Sequence, residues 1–109
     1  MTGKIQTYAE FWPFYLSEHA HPRNRTLHLI GTGLALLLQI AAVVMLNIWL
    51  LLASLVVGYG FAWFGHFRVE HNRPATFTYP LWSLYSDYRM FFLFVTGRLN
   101  AELRRHHIA

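Results

Sequence analysis

The sequence predicts an all-α integral membrane protein, a helical bundle in which a central two-helix transmembrane hairpin is flanked by an N-terminal interfacial helix and a C-terminal, partly embedded helix. Hydrophobic residues make up 55% of the 109 residues and charged residues only 13%, about half the charge content of a soluble domain. A run of about 40 residues, from Leu29 to Phe67, contains no Asp, Glu, Lys or Arg and is twice as long as one spanning helix needs. The run therefore predicts two spans, within a chain (residues 1–109) short enough to be one domain.

The first element is a short helix at about residues 7–18. Thr7 and Glu10 have the spacing of a capping box, and aromatic residues recur after Thr7 at helical intervals. These aromatic residues are Tyr8, Phe11, Trp12 and Tyr15. We expect this helix to lie at the membrane interface, with Pro13 kinking it or ending its first half.

The apolar run divides into helices at about residues 26–46 and 48–70. Asn47 lies near the midpoint of the run and is predicted to form a tight turn between the two helices. Asn24 is expected to cap the first helix. The second helix is expected to end before Pro74, because the residue before a proline is disfavoured in a helix.

A third helix is predicted at about residues 80–99, with Pro80 in the favoured first-turn position. Asp87 and Arg89 in its middle would be costly in lipid. We therefore expect this helix to lie partly in the interface or to pack against the hairpin. The Arg-rich tail with His106 and His107 is expected to be solvated or to bind headgroups.

The distribution of charge predicts an orientation. All nine Lys and Arg residues lie outside the apolar run, and in a two-span hairpin both flanks are on one side of the membrane. The positive-inside rule predicts that this side, with both termini, is cytoplasmic. These cations would then face anionic membrane lipids, which argues against nucleic acid as a partner. The sequence has no cysteine, so disulfides and thiolate metal sites are excluded.

The positions of the histidines predict a polar site at this same side. His28 and His66 are each 19 residues from Asn47 and should therefore stand at the same depth in an antiparallel hairpin. Small residues follow His28 and precede His66 on the same helix faces, so the two backbones can approach closely. These small residues are Gly31, Ala35, Gly58 and Ala62.

Two further residues can reach the same site. Glu70 is one turn beyond His66 and shares its helix face, and His19 can fold back across the Pro22 link. Imidazoles with one carboxylate are a ligand set suited to non-haem Fe(II), with Zn or Mn also acceptable. The alternative is that the histidines are interfacial groups bonded to headgroups or backbone, with His66 and Glu70 as a simple intrahelical pair.

The polar residues near the two ends of the apolar run form two motifs. The first lies in Tyr15 to Gly31 and contains His19, Pro22, Asn24 and His28; the second is Gly65-His66-Phe67-Arg68-Val69-Glu70-His71-Asn72-Arg73-Pro74-Ala75. Both resemble motifs of the Mpo1-like family. Eukaryotic members of this family are endoplasmic-reticulum Fe(II)-dependent dioxygenases of 2-hydroxy fatty acid α-oxidation, which shorten the acyl chain by one carbon. The resemblance implies catalytic and metal-binding roles for His19, His28, His66 and Glu70, with Asn24 and Asn72 as supporting polar groups.

The leading hypothesis is an Fe(II)-dependent dioxygenase that takes a 2-hydroxy fatty acid and O2 at the cytoplasmic face of a bacterial inner membrane. Asn24 and Asn72, together with Arg68 or Arg73, would bind the polar end of the substrate, while its chain lies along the hairpin in lipid. One alternative is a membrane electron carrier with haem ligated by His28 and His66. Another is a non-catalytic metal-binding membrane module. Membrane lipids are expected partners, and a homo-oligomer is left open.

Overall fold

The computed structural model describes residues 4–108 and confirms an all-helical fold. The elements are α1 (Tyr8–Ser17), α2 (Pro22–Val44), α3 (Ile48–Phe64), a π-helical segment that continues α3 (Gly65–Glu70), a short 3₁₀ turn (Ala75–Phe77), α4 (Pro80–Val95) and α5 (Leu99–Arg105).

Helices α2 and α3 form the predicted hairpin, and its turn is at Asn47. The Asn47 side chain accepts a hydrogen bond from the backbone N–H of Trp49 at 2.9 Å, which caps the start of α3. Leu46 has a left-handed φ of 51°, and the N–H of Asn47 donates to the carbonyl of Ala42 at 2.9 Å. This is a Schellman ending, which satisfies the last carbonyls of α2.

The small residues between the two helices allow close approach, as predicted. A Cβ added to Gly31 would lie 2.7 Å from the Cβ of Phe61 and 3.3 Å from the carbonyl oxygen of Gly58. No side chain fits at Gly31 without separating the helices, so the seam beside His28 requires glycine.

Most of the hairpin surface is apolar and exposed. Two helical stretches, Pro22–Val44 and Ile48–Glu70, are long and apolar enough to span a membrane. In the most apolar 18-residue segment of each, only 28% and 17%, respectively, is buried inside the protein. A core helix of a soluble protein would be mostly covered, whereas exposed side chains such as Leu37, Val44 and Val56 are suited to lipid contact.

Helix α2 begins earlier than expected, at Pro22. The Nδ1 atom of His21 accepts a hydrogen bond from the backbone N–H of Arg23 at 3.1 Å, so His21 is the cap. Asn24, the expected cap, lies inside the helix and is buried. Proline in the first turn explains the early start, because its fixed φ suits the helix and its missing N–H is not needed there.

A second core lies outside the hairpin, between α1, α4 and α5. The aromatic face of α1 is buried there, and Thr7 caps this helix as predicted by accepting from the N–H of Glu10 at 3.3 Å. Pro13 lies within α1 and does not end it, because the helix continues past Pro13 to Ser17. The buried members of this core are Phe11, Trp12, Tyr15, Leu16, Ala75, Met90, Leu99 and Leu103.

Helix α4 has 16 residues, about 24 Å of helix, which is shorter than a hydrocarbon core of about 30 Å. Its charged residues face the rest of the protein: the Arg89 guanidinium lies 4.1 Å from the Trp12 ring centroid and 3.8 Å from Glu102. The helix ends at Val95 because Gly97 adopts a left-handed φ of 75°. The tail then forms α5 and docks on the core, an element that the sequence analysis did not predict.

Candidate metal centre

His19 lies in the link between α1 and α2, and its position is fixed by backbone contacts. Its Nδ1 atom is 2.7 Å from the carbonyl oxygen of Tyr15, so Nδ1–H donates along the end of α1. Arg25 donates to the carbonyls of His19 and Ala20 at 3.0 and 2.8 Å. These bonds hold the link across the opening of the hairpin.

His28 projects from the second turn of α2 toward α4. Its Nε2 atom is 2.7 Å from Oδ1 of Asp87, which also accepts a hydrogen bond from the Tyr15 hydroxyl at 2.6 Å. Burial, followed by the negative charge of Asp87, raises the pKa of Tyr15 well above its ordinary value. The hydroxyl therefore remains a donor, and Asp87 joins α1, α2 and α4 at one point.

His66 lies in the π-helical segment, and Asn72 orients it. Nδ1 of His66 is 2.7 Å from Oδ1 of Asn72. His71 adopts a left-handed φ of 59°, and the N–H of Asn72 donates to the carbonyl of His66 at 2.9 Å. The wider π turn and this reversal bring the Asn72 side chain back onto the ring.

The three imidazoles meet in the interior. Ring centroids are 4.4 Å apart for His19 and His28, 4.6 Å for His19 and His66, and 5.6 Å for His28 and His66. One ligand atom from each ring lies within 4.8 Å of the others. The residues are 1%, 4% and 2% exposed, in chain order. The predicted meeting of His19, His28 and His66 is thus present in the structure.

The hydrogen bonds of the rings leave the remaining nitrogens suited to a metal. In each ring one nitrogen is within hydrogen-bond distance of an oxygen acceptor, and in the neutral tautomer that donates to this oxygen the other nitrogen carries a lone pair. Nε2 of His19 and Nδ1 of His28 are buried without a hydrogen-bond partner among the described residues, which is costly unless a ligand satisfies them. Anchoring the distal nitrogen to a carbonyl or carboxylate is the usual arrangement of metal-binding histidines.

Electrostatics also favour neutral ligands. Burial, and then the proximity of His28 and His66, lower the pKa of His19 well below its ordinary value. The ring is therefore neutral near pH 7, which is the form that binds metal.

The two asparagines predicted to support the site hold its framework together. Asn24 and Asn72 both donate to the carbonyl oxygen of Glu18, at 3.3 and 3.2 Å. Asn72 thereby connects His66 to the link that carries His19. Gly65 packs so tightly on Asn24 that no Cβ would fit between them.

Other predicted site residues lie at the edge of the group. Glu70 does not join the three histidines; its Oε1 accepts from the backbone N–H of His21 at 2.5 Å, which ties the end of the hairpin to the start of α2. Arg68 and Arg73 are exposed. Arg68 lines a surface groove with Arg23, and the Arg73 guanidinium packs 5.0 Å from the centroid of the Phe77 ring.

Sequence reasoning missed Asp87 and Tyr15 as site residues. In the sequence, Asp87 argues against full embedding of the third helix. The same signal, an ionisable group in the middle of an apolar helix, also marks functional positions in membrane proteins, and it was the available indication of a partner for His28. Tyr15 carried no separate signal, because it belongs to the aromatic face of α1.

Comparison with known families gives a match over residues 5–99 to the family described as 2-hydroxy-palmitic acid dioxygenase Mpo1-like. No curated protein and no solved structure matches the chain at a significant level. The matched segment contains the three histidines, Asn72 and Asp87. Because it covers most of the chain, the protein belongs to the Mpo1-like family, whose name is that of a dioxygenase.

Proposed function

We propose that the protein is an Fe(II)-dependent dioxygenase that converts a 2-hydroxy fatty acid into the fatty acid one carbon shorter. The observation that carries the proposal is the buried group His19, His28 and His66, in which each ring is anchored through one nitrogen and one ligand atom of each ring lies within 4.8 Å of the others. The family description, which names a 2-hydroxy acid dioxygenase, supports the reaction class.

The proposed reaction balances without a further reductant. The C1–C2 bond breaks, C1 leaves as CO2, and C2 becomes the carboxyl carbon of the product. One atom of O2 enters that carboxyl group, and the other leaves as water with the two hydrogens of the C2–H and hydroxyl groups. The substrate loses four electrons and O2 accepts four.

The chain's own residues supply the framework for this chemistry. Three imidazoles fit a first-row divalent metal and leave other coordination positions open. Bound there, Fe(II) would supply the open positions and the electron transfer that O2 chemistry needs. Asp87 and Asn72 fix the His28 and His66 rings, and burial of the three histidines keeps bulk water away.

We also propose that the hairpin spans a bacterial inner membrane with the site on the cytoplasmic side. His21 and Glu70 meet at the open end of the hairpin, so both cationic flanks lie at that end, as the positive-inside rule requires. Arg23 and Arg68 line a groove there and are suited to anionic headgroups or to a substrate carboxylate. An amphiphilic substrate would reach this level by lateral diffusion.

The test is metal analysis of protein purified without oxygen, together with turnover of 2-hydroxypalmitate. Wild type should carry stoichiometric iron and release pentadecanoic acid and CO2. H19A, H28A and H66A should each lose metal and activity, because each removes one of three ligands. H71N is the control, because His71 is an exposed neighbour of the site and asparagine tolerates its left-handed φ.

Retained turnover in H28A and H66A would contradict the proposal. Stoichiometric metal without turnover would instead favour the non-catalytic module. The haem alternative is disfavoured by geometry, because the His19 ring is 4.4 and 4.6 Å from the other two and occupies space that a macrocycle between His28 and His66 would need. A Soret band in the pure protein would restore that alternative.

A further inference from the structure

A narrow groove leads away from the metal centre between α2, α3 and α4. His28 and Asp87 line one end. The enclosed space within the groove is about 40 Å³, and the rest of it is open to the surroundings. Its walls include the small residues Ala35 and Gly58, where α2 and α3 pack closely: a Cβ added at Gly58 would lie 3.4 Å from the Cβ of Ala35. The groove therefore shares one metal-centre histidine and its carboxylate partner with the site.

The opposite end is marked by polar side chains from all three helices. The Tyr88 hydroxyl donates to Oε1 of Gln39 at 2.7 Å, and Nε2 of Gln39 donates to Oγ of Ser54 at 3.4 Å. Gln39 lies eleven residues after His28 on α2, about 16 Å along the helix axis. We call Gln39, Ser54 and Tyr88 the floor cluster.

We propose that this groove binds the acyl chain of the substrate and that the floor cluster sets the longest chain accepted. This inference rests on the proposed function, since it places the carboxylate and hydroxyl of a 2-hydroxy fatty acid at the metal centre. It differs from the sequence-based hypothesis, in which the chain lies outside the hairpin in lipid.

The shape and the chemistry of the groove favour a single acyl chain. The lining residues Leu55 and Leu84 are both partly exposed (45% and 41%), so the groove opens sideways to the lipid, the phase from which a fatty acid would enter. The polar groups at the floor bond to one another and need no polar ligand. A chain longer than the groove would have to separate them, and this loss of hydrogen bonds inside the membrane would disfavour binding.

The groove would also explain how the first two carbons of the substrate are positioned at the metal centre. A chain that lies free in lipid leaves its first two carbons mobile, whereas a chain fixed along the groove positions them against His28. Placement of this kind lowers the entropic part of the barrier. Chain-length selectivity is the measurable consequence, because bulk lipid would not discriminate between chain lengths.

The first test is the chain-length profile of purified protein with 2-hydroxy fatty acids of 10 to 20 carbons. L84W should fill the groove and lower turnover of the longest accepted acids at least tenfold relative to the shortest. L81W is the matched control, since Leu81 lies one turn earlier on α4 and is 80% exposed. Q39A should shift the preference toward longer chains. S54A should shift it less, because it removes the bond from Gln39 and the bond from Ser54 to the carbonyl of Leu51 but keeps the bond between Tyr88 and Gln39.

The second test does not depend on turnover. A 2-hydroxy fatty acid with a diazirine at its methyl end is added to Zn(II)-loaded protein, irradiated, and its cross-links are located by mass spectrometry. Cross-links at the floor cluster support the groove even if no acid is turned over, in which case only the proposed function fails. Cross-links confined to lipid-facing residues such as Val56, with a chain-length profile unaffected by L84W and Q39A, would overturn the inference while leaving the dioxygenase intact.

A bilayer lipid is the competing occupant. A phosphatidylethanolamine with a diazirine on its acyl chain serves as the second probe. Groove cross-links from this lipid that unlabelled 2-hydroxypalmitate does not reduce would overturn the inference and assign the groove to bilayer lipid. Displacement by the free acid is the result expected for a substrate groove.

Discussion

The partner of the anchored ring nitrogen distinguishes the histidines of the candidate metal centre from His21 and His71. In His19, His28 and His66 that nitrogen donates to an oxygen in the protein interior. In His21 the Nδ1 atom is an acceptor at an exposed helix cap, and His71 is exposed at a reversal of the chain. Counting histidines in the sequence does not separate these two groups, whereas their burial and hydrogen bonding do.

Asp87 is predicted to control metal affinity through His28, without contacting the metal. D87A removes the carboxylate that fixes the His28 ring. Two donors, His28 Nε2–H and the Tyr15 hydroxyl, then lose their acceptor. Loss of an outer partner of this kind lowers metal affinity by about 10–100-fold. Competition between the protein and a chelator for Co(II) measures the change without any turnover.

Two variants serve as controls for this effect. Y15F keeps the bond from His28 to Asp87 and should lower the affinity less than D87A. D87N keeps an oxygen acceptor without the charge, so its affinity should fall between those of D87A and wild type. An affinity for Co(II) that is unchanged in D87A would refute the positioning role, and the Co(II) absorption spectrum would report whether the site geometry has changed.

The sequence predicted the histidines but not their partners, for a definable reason. The equal spacing of His28 and His66 from Asn47 depends only on helix rise, so a hairpin brings them level whatever the rest of the chain does. The bond from His28 to Asp87 spans 59 residues and depends on how α4 packs against α1 and α2. Helical periodicity contains no information about that packing.

At the level of elements, the hairpin turn contains a strained residue. Leu46 has a φ of 51° and is 92% exposed. The left-handed conformation costs a residue with a Cβ about 1 kcal/mol relative to glycine. L46G should therefore be more stable than L46A by about 1 kcal/mol, since both remove the same apolar side chain but only glycine is unstrained. Reversible unfolding in detergent measures the difference.

Gly97 provides the reciprocal comparison. Its φ is 75°, and a Cβ added there would meet nothing within 4 Å. G97A should thus destabilise by about 1 kcal/mol through the backbone alone. If L46G and L46A were equally stable while G97A was costly, the turn at Leu46 would have to adopt another conformation in solution.

Elements defined by local signals were predictable, and those that depend on tertiary contacts were not. Thr7 and Pro80 correctly indicated the starts of α1 and α4, and Asn47 indicated the turn. The π-helical segment was missed because its residues have no composition distinct from that of an α-helix. Helix α5 was missed because seven residues are too few for a reliable pattern, and its stability comes from Leu99 and Leu103 packing on the core.

On the scale of the whole molecule, two differently built halves meet at the candidate metal centre. The hairpin exposes apolar side chains and contributes His28 and His66. The α1–α4–α5 core buries its aromatic residues, and the link that follows α1 contributes His19. Three imidazoles can meet only if this core remains docked on the open end of the hairpin, so the stability of the core is a condition for metal binding.

Glu102 is the ionic centre of that core, and its pKa predicts how the core responds to acid. Its carboxylate accepts from Trp12 Nε1 at 2.6 Å and from Arg105 at 3.0 Å. The hydrogen bond from Arg105 is the largest cause that lowers the pKa of Glu102, from 4.5 to about 2. Burial opposes this change, and the hydrogen bond from Trp12 adds to it. Because the folded-state pKa is the lower one, the stabilisation is present above pH 4.5 and is lost as the pH falls toward 2.

E102Q should therefore be less stable than wild type at pH 7, by about 1 kcal/mol after allowance for solvent screening, and the difference should shrink steadily below pH 4.5. Thermal unfolding of the two metal-free proteins at pH 7, 4 and 3 measures it, with H106Q introduced into both because His106 Nε2 lies 3.4 Å from the Glu102 carboxylate. Protonation of the other histidines then affects both proteins alike and cancels in the comparison. E10Q is the control, because Glu10 is an exposed acidic residue in the first turn of α1. A difference between E102Q and wild type that stays constant down to pH 3 would mean that the carboxylate charge does not stabilise the core, and that Glu102 acts through neutral hydrogen bonds alone.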